Sequence, residues 1–552
     1  MNQRVKPPGG RLGRRLKMTG VATLLAVTGT LSTAVASDSA SVASLASAGA
    51  PPLTQVVPAP VSVRPSPGVV FNLTARDAIH ATAGSADARA AADFLAGVLR
   101  KPTGYALPVK GLEPAAQPRG VVLELGGANA VTHPEGYQLD ITQRSVTIRA
   151  DRRAGLFHGI GTLRQLLPVK LDSRTEARGP WPVRGGQILD QPRYAYRGAM
   201  LDVARTFLPD TAVKRYIDTL ARYKINYFHL HLTDDQGWRV EIKSRPELTR
   251  IGGSSGLAGV TKGFYTQAQY KAIVQYAWAR GITVIPEIEG PDHQHAALAS
   301  YPELNCDGKA PPVYTGFIKS PDGRLCVEKP VTYTFMDQVI GEIAAMTPGP
   351  YIHIGGDETQ GRTPEQIAAY YAKVAPIVQK YGKKVFGWQE SMPALKPADT
   401  LTEFWVVGVN NEEVVSAAKA GAKVVMAPAT NAYLDMKYTP EKPDYPTGNT
   451  WAGTTTLRDS YEWQPDRVLK GLPASAIAGV EAPLFTDTVF GYDTVENLAF
   501  PRLLAIADIG WAPAAHHSWN AFKKRVAAQG PRLRQAQVIY YQAPEVSWPF
   551  GS

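Results

Sequence analysis

The sequence predicts an α/β protein in which a small α+β domain precedes a (β/α)8 TIM barrel. From residue 196 onward, short β-branched runs alternate with helical stretches, which is the pattern of a parallel sheet. There are eight such runs, the number that closes this barrel. The alternative, a doubly wound open sheet, lacks the glycine fingerprint expected after its first strand. The runs are residues 198–203, 226–232, 283–288, 351–354, 384–386, 401–404, 423–426 and 477–480.

Length and composition describe a folded protein with more than one domain. The chain has 552 residues, of which 44% are hydrophobic and 19% are charged. Its net charge of +11 includes six basic side chains in residues 1–36, and the rest of the chain carries 53 basic and 48 acidic side chains. These charges form no long basic run, so we expect no nucleic-acid partner. The two cysteines exclude a four-cysteine zinc site.

The first 36 residues have the pattern of a signal peptide. Residues 1–17 are basic, residues 20–31 are apolar but too short to span a bilayer, and Ala34-Val35-Ala36 is a small-x-small cleavage site. We expect a secreted, extracellular protein that is cleaved near Ala36 and is free of the membrane afterwards; a membrane anchor is the alternative. Residues 37–60, rich in Ala, Ser and Pro, are predicted to form a disordered leader.

Residues 61–185 are predicted to form the small α+β domain. Strand signals occupy residues 69–73, 121–125 and 137–148, with a hairpin turn at 143–145, and helical periodicity covers 87–100 and 154–167. No cluster of acids, histidines or cysteines indicates chemistry there. The barrel is predicted to occupy residues 196–545.

Export to an oxidising compartment predicts a disulfide between Cys306 and Cys326. The segment between them is rich in Gly, Pro and Asp turn signals. Closing this loop of about 20 residues is worth about 3 kcal/mol in the chain-entropy model. Two reduced, buried thiols are the alternative.

Catalytic groups of such barrels lie at the C-terminal ends of the strands. Here these positions hold mostly acids and aromatics, and the chain has no phosphate loop, HExxH or GxSxG motif. Indole faces suit a pyranose ring, while carboxylates and a guanidinium suit its hydroxyls, so we predict a sugar site. The residues are Asp202, Arg205, Asp234, Asp235, Glu289, Asp292, His293, Asp357, Glu358, Trp388, Trp405, Tyr433, Asp435, Glu481, Phe485 and Asp487.

The segment IGGDE at residues 354–358 is the strongest candidate for catalysis. Adjacent residues cannot share one face of a strand, so Asp357 and Glu358 must approach a substrate from different directions. Two neighbouring carboxylates also raise the pKa of one of them, as an acid catalyst requires. A helix N-terminal cap is the structural alternative, but Thr363-Pro364 has the pattern of a separate helix start.

Six stretches carry a resemblance to the family 20 glycoside hydrolases, the β-N-acetylhexosaminidases, especially secreted actinobacterial members. They are RGAMLDVAR (197–205), HLHLTDDQGWR (229–239), HIGGDE (353–358), GW (387–388), AYLD (432–435) and GVEAP (479–483). The resemblance spans residues 55–545, including the small domain. It implies an exo-acting enzyme that removes terminal GlcNAc, or GalNAc, from chitooligosaccharides or glycans. It also implies a retaining mechanism in which the substrate's acetamido oxygen is the nucleophile.

The resemblance also implies roles for individual residues. Glu358 is the expected general acid/base, and Asp357 orients the acetamido group and stabilises the oxazolinium ion. Tyr433 binds the acetamido oxygen. The expected substrate-binding residues are Trp388, Trp405 and Trp451 around the acetamide, Arg205, Asp435, Phe485 and Asp487 around the terminal sugar, and Asp234 and His293 behind Glu358. The loop between Cys306 and Cys326 follows the third strand and is expected to lie away from the acid.

Three positions depart from the family pattern. Asp292 replaces the usual Gly and adds an acid beside His293, while Phe485 and Asp487 replace a Trp and a Glu near the non-reducing sugar. A smaller ring and a shorter acid make the terminal-sugar preference the open question. A lacto-N-biosidase or a 6-sulfo-GlcNAc hydrolase is therefore an alternative, although Arg205 opposes release of a disaccharide.

An alternative of another class is a sugar-binding protein without catalysis, which the presence of both Asp357 and Glu358 disfavours. The expected partner is a carbohydrate that ends in a non-reducing N-acetylhexosamine. No metal-ligand pattern is visible, so we expect neither a metal nor a cofactor. The sequence predicts no oligomeric state.

Overall fold

The computed structural model describes residues 49–113, 117–128, 131–359, 361–440 and 448–549. The predicted signal peptide (1–36) and residues 37–48 of the predicted leader lie outside this part. A seven-stranded sheet and a closed eight-stranded barrel form the framework.

The seven-stranded sheet belongs to the N-terminal domain and has the order β1-β7-β5-β6-β4-β2-β3. Both predicted helices are present and pack on it through buried alanines and leucines. The predicted hairpin is β5–β6, while β2, β3 and β7 were missed because they lack a clear alternating pattern. β7 also carries the sheet beyond residue 185, the predicted end of the small domain. The strands are β1 (Ser62–Asn72), β2 (Ala78–Thr82), β3 (Val109–Leu112), β4 (Gly120–Leu125), β5 (Tyr137–Ile141), β6 (Ser145–Ala150) and β7 (Pro182–Asp190).

The prediction of a disordered leader is wrong for residues 49–60. The Val57 N–H donates to Oε1 of Gln165 at 2.9 Å, and the Ala59 N–H donates to Oδ1 of Asp508 at 2.7 Å. Leu53 and Val57 are buried in the two domain cores. These contacts hold the segment against both domains. Its Ala- and Pro-rich composition predicted disorder, but its few large apolar residues pack into the two cores.

All eight predicted barrel strands are present, and β17 pairs with β8 to close the barrel. The open-sheet alternative is therefore wrong. β10 and β11 form a short hairpin outside the barrel. The strands are β8 (Tyr196–Asp202), β9 (Tyr227–His231), β10 (Thr233–Asp234), β11 (Gly237–Trp238), β12 (Thr283–Glu287), β13 (Tyr351–His353), β14 (Lys384–Trp388), β15 (Thr400–Phe404), β16 (Lys423–Met426) and β17 (Ile477–Ala482).

The first two helices of the described chain pack on the N-terminal sheet, and the later ones lie around the barrel, where most of them connect its strands. Thr363 caps α8 by accepting a hydrogen bond from the Gln366 N–H, so the helix starts where Thr363-Pro364 predicted and Asp357-Glu358 is not its cap. The helices are α1 (Ala86–Thr103), α2 (Arg153–Leu166), α3 (Asp210–Arg222), α4 (Glu247–Arg250), α5 (Gln267–Trp278), α6 (His295–Ser300), α7 (Pro330–Met346), α8 (Pro364–Lys380), α9 (Asn411–Lys419), α10 (Pro465–Val468), α11 (Tyr492–Ala499), α12 (Arg502–Trp511) and α13 (Trp519–Gln535).

Cys306 and Cys326 form the predicted disulfide, with their Cα atoms 4.9 Å apart. It closes the loop between α6 and α7. Within the described residues, no helix combines the length and apolar character needed to cross a membrane.

Candidate active site

The Asp357-Glu358 pair follows β13 after a sharp backbone turn. Gly355 and Gly356 have φ values of 66° and 108°, and a Cβ atom on Gly355 would lie 1.8 Å from Oε1 of Glu289. The Gly356 N–H donates to that same oxygen at 2.9 Å. Two glycines are therefore needed here, both for the left-handed conformation and for the approach of a buried carboxylate.

A chain of hydrogen bonds leads from the barrel interior to His293, and an ion-pair contact joins His293 to Glu358. Nε2 of His231 lies 2.9 Å from Oδ2 of Asp234, and Nδ1 of His293 lies 3.2 Å from Oδ1 of Asp234. Nε2 of His293 then lies 3.3 Å from Oε2 of Glu358. His231 also contacts the buried Glu287. The predicted polar chain of Asp234 and His293 therefore lies directly behind the candidate acid.

The pKa values of the two adjacent acids shift in opposite directions. Burial raises the pKa of Asp357, and the charge of Glu358 adds to this effect while His293 opposes it. The close polar contact with His293 lowers the pKa of Glu358, and the imidazolium charge adds to this effect. The expected rise therefore falls on Asp357, because its side chain is the more deeply buried of the two (18% against 41% exposed) and His293 lowers the pKa of Glu358.

An aromatic cage lies beside the acids and consists of Trp405, Tyr433 and Trp451. The Trp405 and Tyr433 rings are nearly parallel at 6.3 Å, and Trp451 meets both edge-on at 5.7 and 5.8 Å. Trp451 is 55% exposed, so it forms the mouth of the cage. Trp388 lies deeper and donates its indole N–H to Oε1 of Glu287 at 2.9 Å. Its ring is 6.1 Å from that of Phe485.

The side-chain amide of Asn449 joins two of the predicted carboxylates, those of Asp435 and Asp487, near Phe485. Nδ2 of Asn449 lies 3.0 and 2.9 Å from the two carboxylate oxygens of Asp487 and 3.2 Å from Oδ2 of Asp435. Burial raises the pKa of Asp435 to about 7, and the neighbouring charge of Asp487 adds to this effect. Together, Asp435 and Asp487 therefore carry less than two negative charges near neutral pH.

Arg205 lies between Phe485 and Asp234, and so connects the sugar-binding carboxylates with the polar chain behind Glu358. Its Nη2 lies 2.8 Å from Oδ2 of Asp234, and its guanidinium carbon lies 5.2 Å from the centre of the Phe485 ring. Burial opposes its charge, but the carboxylates of Asp234 and Asp202 outweigh that effect and raise the pKa of Arg205. It is therefore a permanent cation in the site.

Asp292, the acid that the sequence adds beside His293, makes its contacts outside the proton network. Its carboxylate contacts Arg362 and lies 3.2 Å from Nζ of Lys319 and 3.5 Å from Nε of Arg324. These cations come from the chain before and after the acid pair. Asp292 therefore holds together the segments before and after the acid pair.

The structure brings every predicted catalytic and substrate-binding residue into one connected group. Sequence reasoning missed Asn449 and Lys319, which lie on long loops without periodicity, and it left Glu289 without a role. It also missed Glu390, two residues beyond Trp388, whose Oε2 accepts the Trp405 indole N–H at 3.0 Å. Burial raises the pKa of Glu390 to about 7, with a contribution from Asp357. Its position after β14 was the available signal.

Comparison with known proteins agrees with this geometry. Residues 194–514 match the model of the glycosyl hydrolase family 20 catalytic domain, and residues 53–191 match domain 2 of the same family. A β-N-acetylhexosaminidase from Cellulomonas fimi is 38% identical over 502 residues, covering 90% of this chain and 98% of that protein.

Solved structures give the same assignment. A mutant Streptomyces plicatus β-hexosaminidase in complex with its product GlcNAc is 47% identical, with a TM-score of 0.86 over 91% of this chain and 99% of that one. The family 20 β-N-acetylhexosaminidase of Streptomyces coelicolor A3(2) is 46% identical, also with a TM-score of 0.86, over 91% of this chain and 100% of that one. Since the catalytic-domain model covers more than half of the sequence, the chain belongs to glycosyl hydrolase family 20.

Proposed function

We propose that this protein is an exo-acting, retaining β-N-acetylhexosaminidase. It removes a terminal GlcNAc from chitooligosaccharides or glycans with the substrate's own acetamido oxygen as nucleophile. One observation carries this proposal: among the described residues, no group hydrogen-bonds the buried Oδ1 atom of Asp357. A buried carboxylate oxygen without a donor favours a ligand N–H, and the acetamido N–H is the donor that this mechanism requires.

The aromatic cage suits the acetamido group. Burial raises the pKa of Tyr433 well above its usual value, and the charges of Glu403 and Asp435 add to this effect. The phenol therefore stays protonated and can donate a hydrogen bond to the acetamido oxygen. This hydrogen bond aligns the oxygen for attack on the anomeric carbon. The indoles of Trp405 and Trp451 enclose the methyl group and exclude water, while the deeper Trp388 closes the floor.

Glu358 is the proposed general acid/base. It protonates the leaving oxygen as the acetamido oxygen attacks, and Asp357 balances the positive charge of the oxazolinium ion. In the second half, Glu358 takes a proton from the water that opens this ion. A low pKa suits this second step, and the His293–Asp234 pair behind Glu358 provides a means of tuning it.

The remaining polar groups suit the hydroxyls of one terminal sugar. In this proposal Arg205 binds the O3 and O4 side of the sugar, and Asp435 and Asp487 bind its outer hydroxyls. Asp202 and Asp234 hold Arg205 in position, and we expect its side chain to occupy the space that a further sugar on O3 would need. This arrangement supports exo action on single residues.

Hydrolysis of p-nitrophenyl β-GlcNAc tests the proposed activity. The β-GalNAc, 6-sulfo-β-GlcNAc, lacto-N-bioside and β-glucoside analogues serve as comparisons. We expect turnover of the first and none of the glucoside, which lacks the acetamido nucleophile. Turnover of the glucoside would contradict substrate assistance, and sugar binding without any turnover would favour the lectin-like alternative.

Replacing His293 with Asn should move the alkaline limb of kcat/KM to higher pH. Glu358 must be protonated to act as the acid, so activity falls as pH rises through its pKa, which His293 holds below the usual value. Removing the imidazolium raises that pKa and extends activity upward, although the maximum rate falls. The pH profile of parent and variant measures this, and His80→Asn in the N-terminal sheet is the control. An unmoved limb would mean that His293 does not set the acid's pKa.

The double change Phe485→Trp with Asp487→Glu should tighten binding of plain GlcNAc and reduce tolerance of a 6-substituent. Asn449 holds the short Asp487 carboxylate back, and one charged hydrogen bond is worth about 1.5–3 kcal/mol. The two sites are close enough to couple, so the single changes need not add. The measurement is kcat/KM for the GlcNAc, GalNAc and 6-sulfo-GlcNAc aryl glycosides. Unchanged ratios would show that these positions do not set specificity.

We also propose that the protein is secreted after cleavage near Ala36. The signal pattern of residues 1–36 and the Cys306–Cys326 disulfide support an extracellular location. N-terminal sequencing of the exported protein checks the cleavage position.

A further inference from the structure

The loop closed by the disulfide reaches the candidate acid. Nζ of Lys319, within this loop, donates to the main-chain oxygen of Glu358 and lies 3.2 Å from Oδ2 of Asp292. The expectation that the Cys306–Cys326 loop lies away from Glu358 is therefore wrong. The loop folds back over the end of β13 instead of continuing outward from β12.

Several further contacts fix the loop against the catalytic residues. The Ser320 N–H donates to Oδ2 of Asp235 at 2.7 Å, next to the Asp234 that binds His293. The Gln294 N–H, beside His293, donates to the Gly323 carbonyl at 2.9 Å. The loop therefore contacts the chain on both sides of the histidine that touches Glu358.

An ion pair with Asp292 holds the Lys319 side chain in place. The Asp292 carboxylate is fully buried and is surrounded by Lys319, Arg324 and Arg362. Lys319 and Arg324 belong to the disulfide loop, whereas Arg362 lies just beyond Glu358. One buried carboxylate thus holds cations from both segments, which fixes the Lys319 ammonium at the Glu358 carbonyl.

Glu358 needs such a support. Its φ of 50° lies in the left-handed region, which a non-glycine residue keeps only when its surroundings hold it there. The side chain is also 41% exposed, so its own packing does little to fix it. A donor at the Glu358 carbonyl constrains the backbone that aims this carboxyl group.

We propose that Lys319 is a positioning residue for Glu358, presented by the disulfide loop and held by Asp292. The proposal rests on the proposed role of Glu358 as the general acid. Because Lys319 acts on the alignment of the acid, its loss should matter most where the leaving group needs protonation. It should change kcat more than KM, since Lys319 contacts none of the groups proposed to bind the sugar.

The test compares the p-nitrophenyl β-GlcNAc substrate with chitobiose, whose sugar leaving group is poor. For Lys319→Met we expect kcat on chitobiose to fall about 10- to 100-fold, the scale of a misplaced catalytic group, with a loss of only a few-fold on the aryl glycoside. Lys319→Arg should recover most of the activity. Lys309→Met, on an exposed position of the same loop, is the matched control. Equal losses on both substrates, or no loss, would overturn the positioning role.

A second measurement uses the disulfide. Reduction of the parent, or Cys306→Ser with Cys326→Ser, should give the same preferential loss on chitobiose, together with a lower Tm. A lower Tm with an unchanged ratio of the two rates would show that the closed loop is not needed to position Glu358. If the parent hydrolyses neither substrate, the proposed function fails instead.

Discussion

Replacing Glu358 with Gln is expected to abolish most turnover of substrates with poor leaving groups. On chitobiose the loss should be about 10²–10⁴-fold, the usual contribution of a general acid. On p-nitrophenyl β-GlcNAc the first step should be affected far less, because nitrophenolate leaves without a proton. The amide keeps the shape of the side chain and can still accept a hydrogen bond from His293, so the variant tests proton transfer and not packing.

The measurement is kcat and kcat/KM on both substrates for parent and variant. Glu412→Gln, an exposed carboxyl group on α9, is a matched control that should leave both rates unchanged. Equal losses on the two substrates would count against the acid role. A small nucleophile such as azide should accelerate the variant on the aryl glycoside, because it opens the oxazolinium ion without base assistance.

The barrel could be predicted because its strands have a local signature. β16, for example, is a short β-branched run that follows a helix, and the acids after β13 follow two glycines that a strand interior would not hold. Burial on both sheet faces makes such runs short and continuously apolar, which distinguishes them from the helical stretches around them. The segment around Val57 has no such pattern, and only the cores of two folded domains determine its position.

The parts of the site that sequence missed depend on contacts between distant segments. Asn449 lies 38 residues from Asp487, and Lys319 lies 39 residues from Glu358. Neither follows a strand directly, so the strand-end rule could not find them. The same limit applies to the pKa of Glu358. A pair of adjacent acids predicts a raised value on one of them, but the burial of Asp357 and the contact of His293 with Glu358 decide which one.

Asp357→Asn should lower kcat on every substrate by about 10²–10³-fold, the scale of losing one preorganised electrostatic partner. The change keeps the size of the side chain and removes the negative charge that balances the oxazolinium ion. Asn can also turn its amide N–H₂ toward the ligand, and a donor placed there would repel the acetamido N–H. The loss should therefore be similar for good and poor leaving groups, in contrast to that of the Glu358 variant.

A thiazoline analogue of the oxazolinium ion gives the independent measurement for Asp357. We expect it to inhibit the parent strongly and the Asn variant weakly, because its protonated ring needs the carboxylate beside it. Inhibition of the parent should weaken at low pH as Asp357, whose pKa is raised by burial, becomes protonated. If the thiazoline does not inhibit the parent, the acetamido group is not the nucleophile. If it inhibits parent and variant equally, another group stabilises the positive charge. Only the combination of a lost kcat and a lost thiazoline affinity places the charge of Asp357 at the acetamido group.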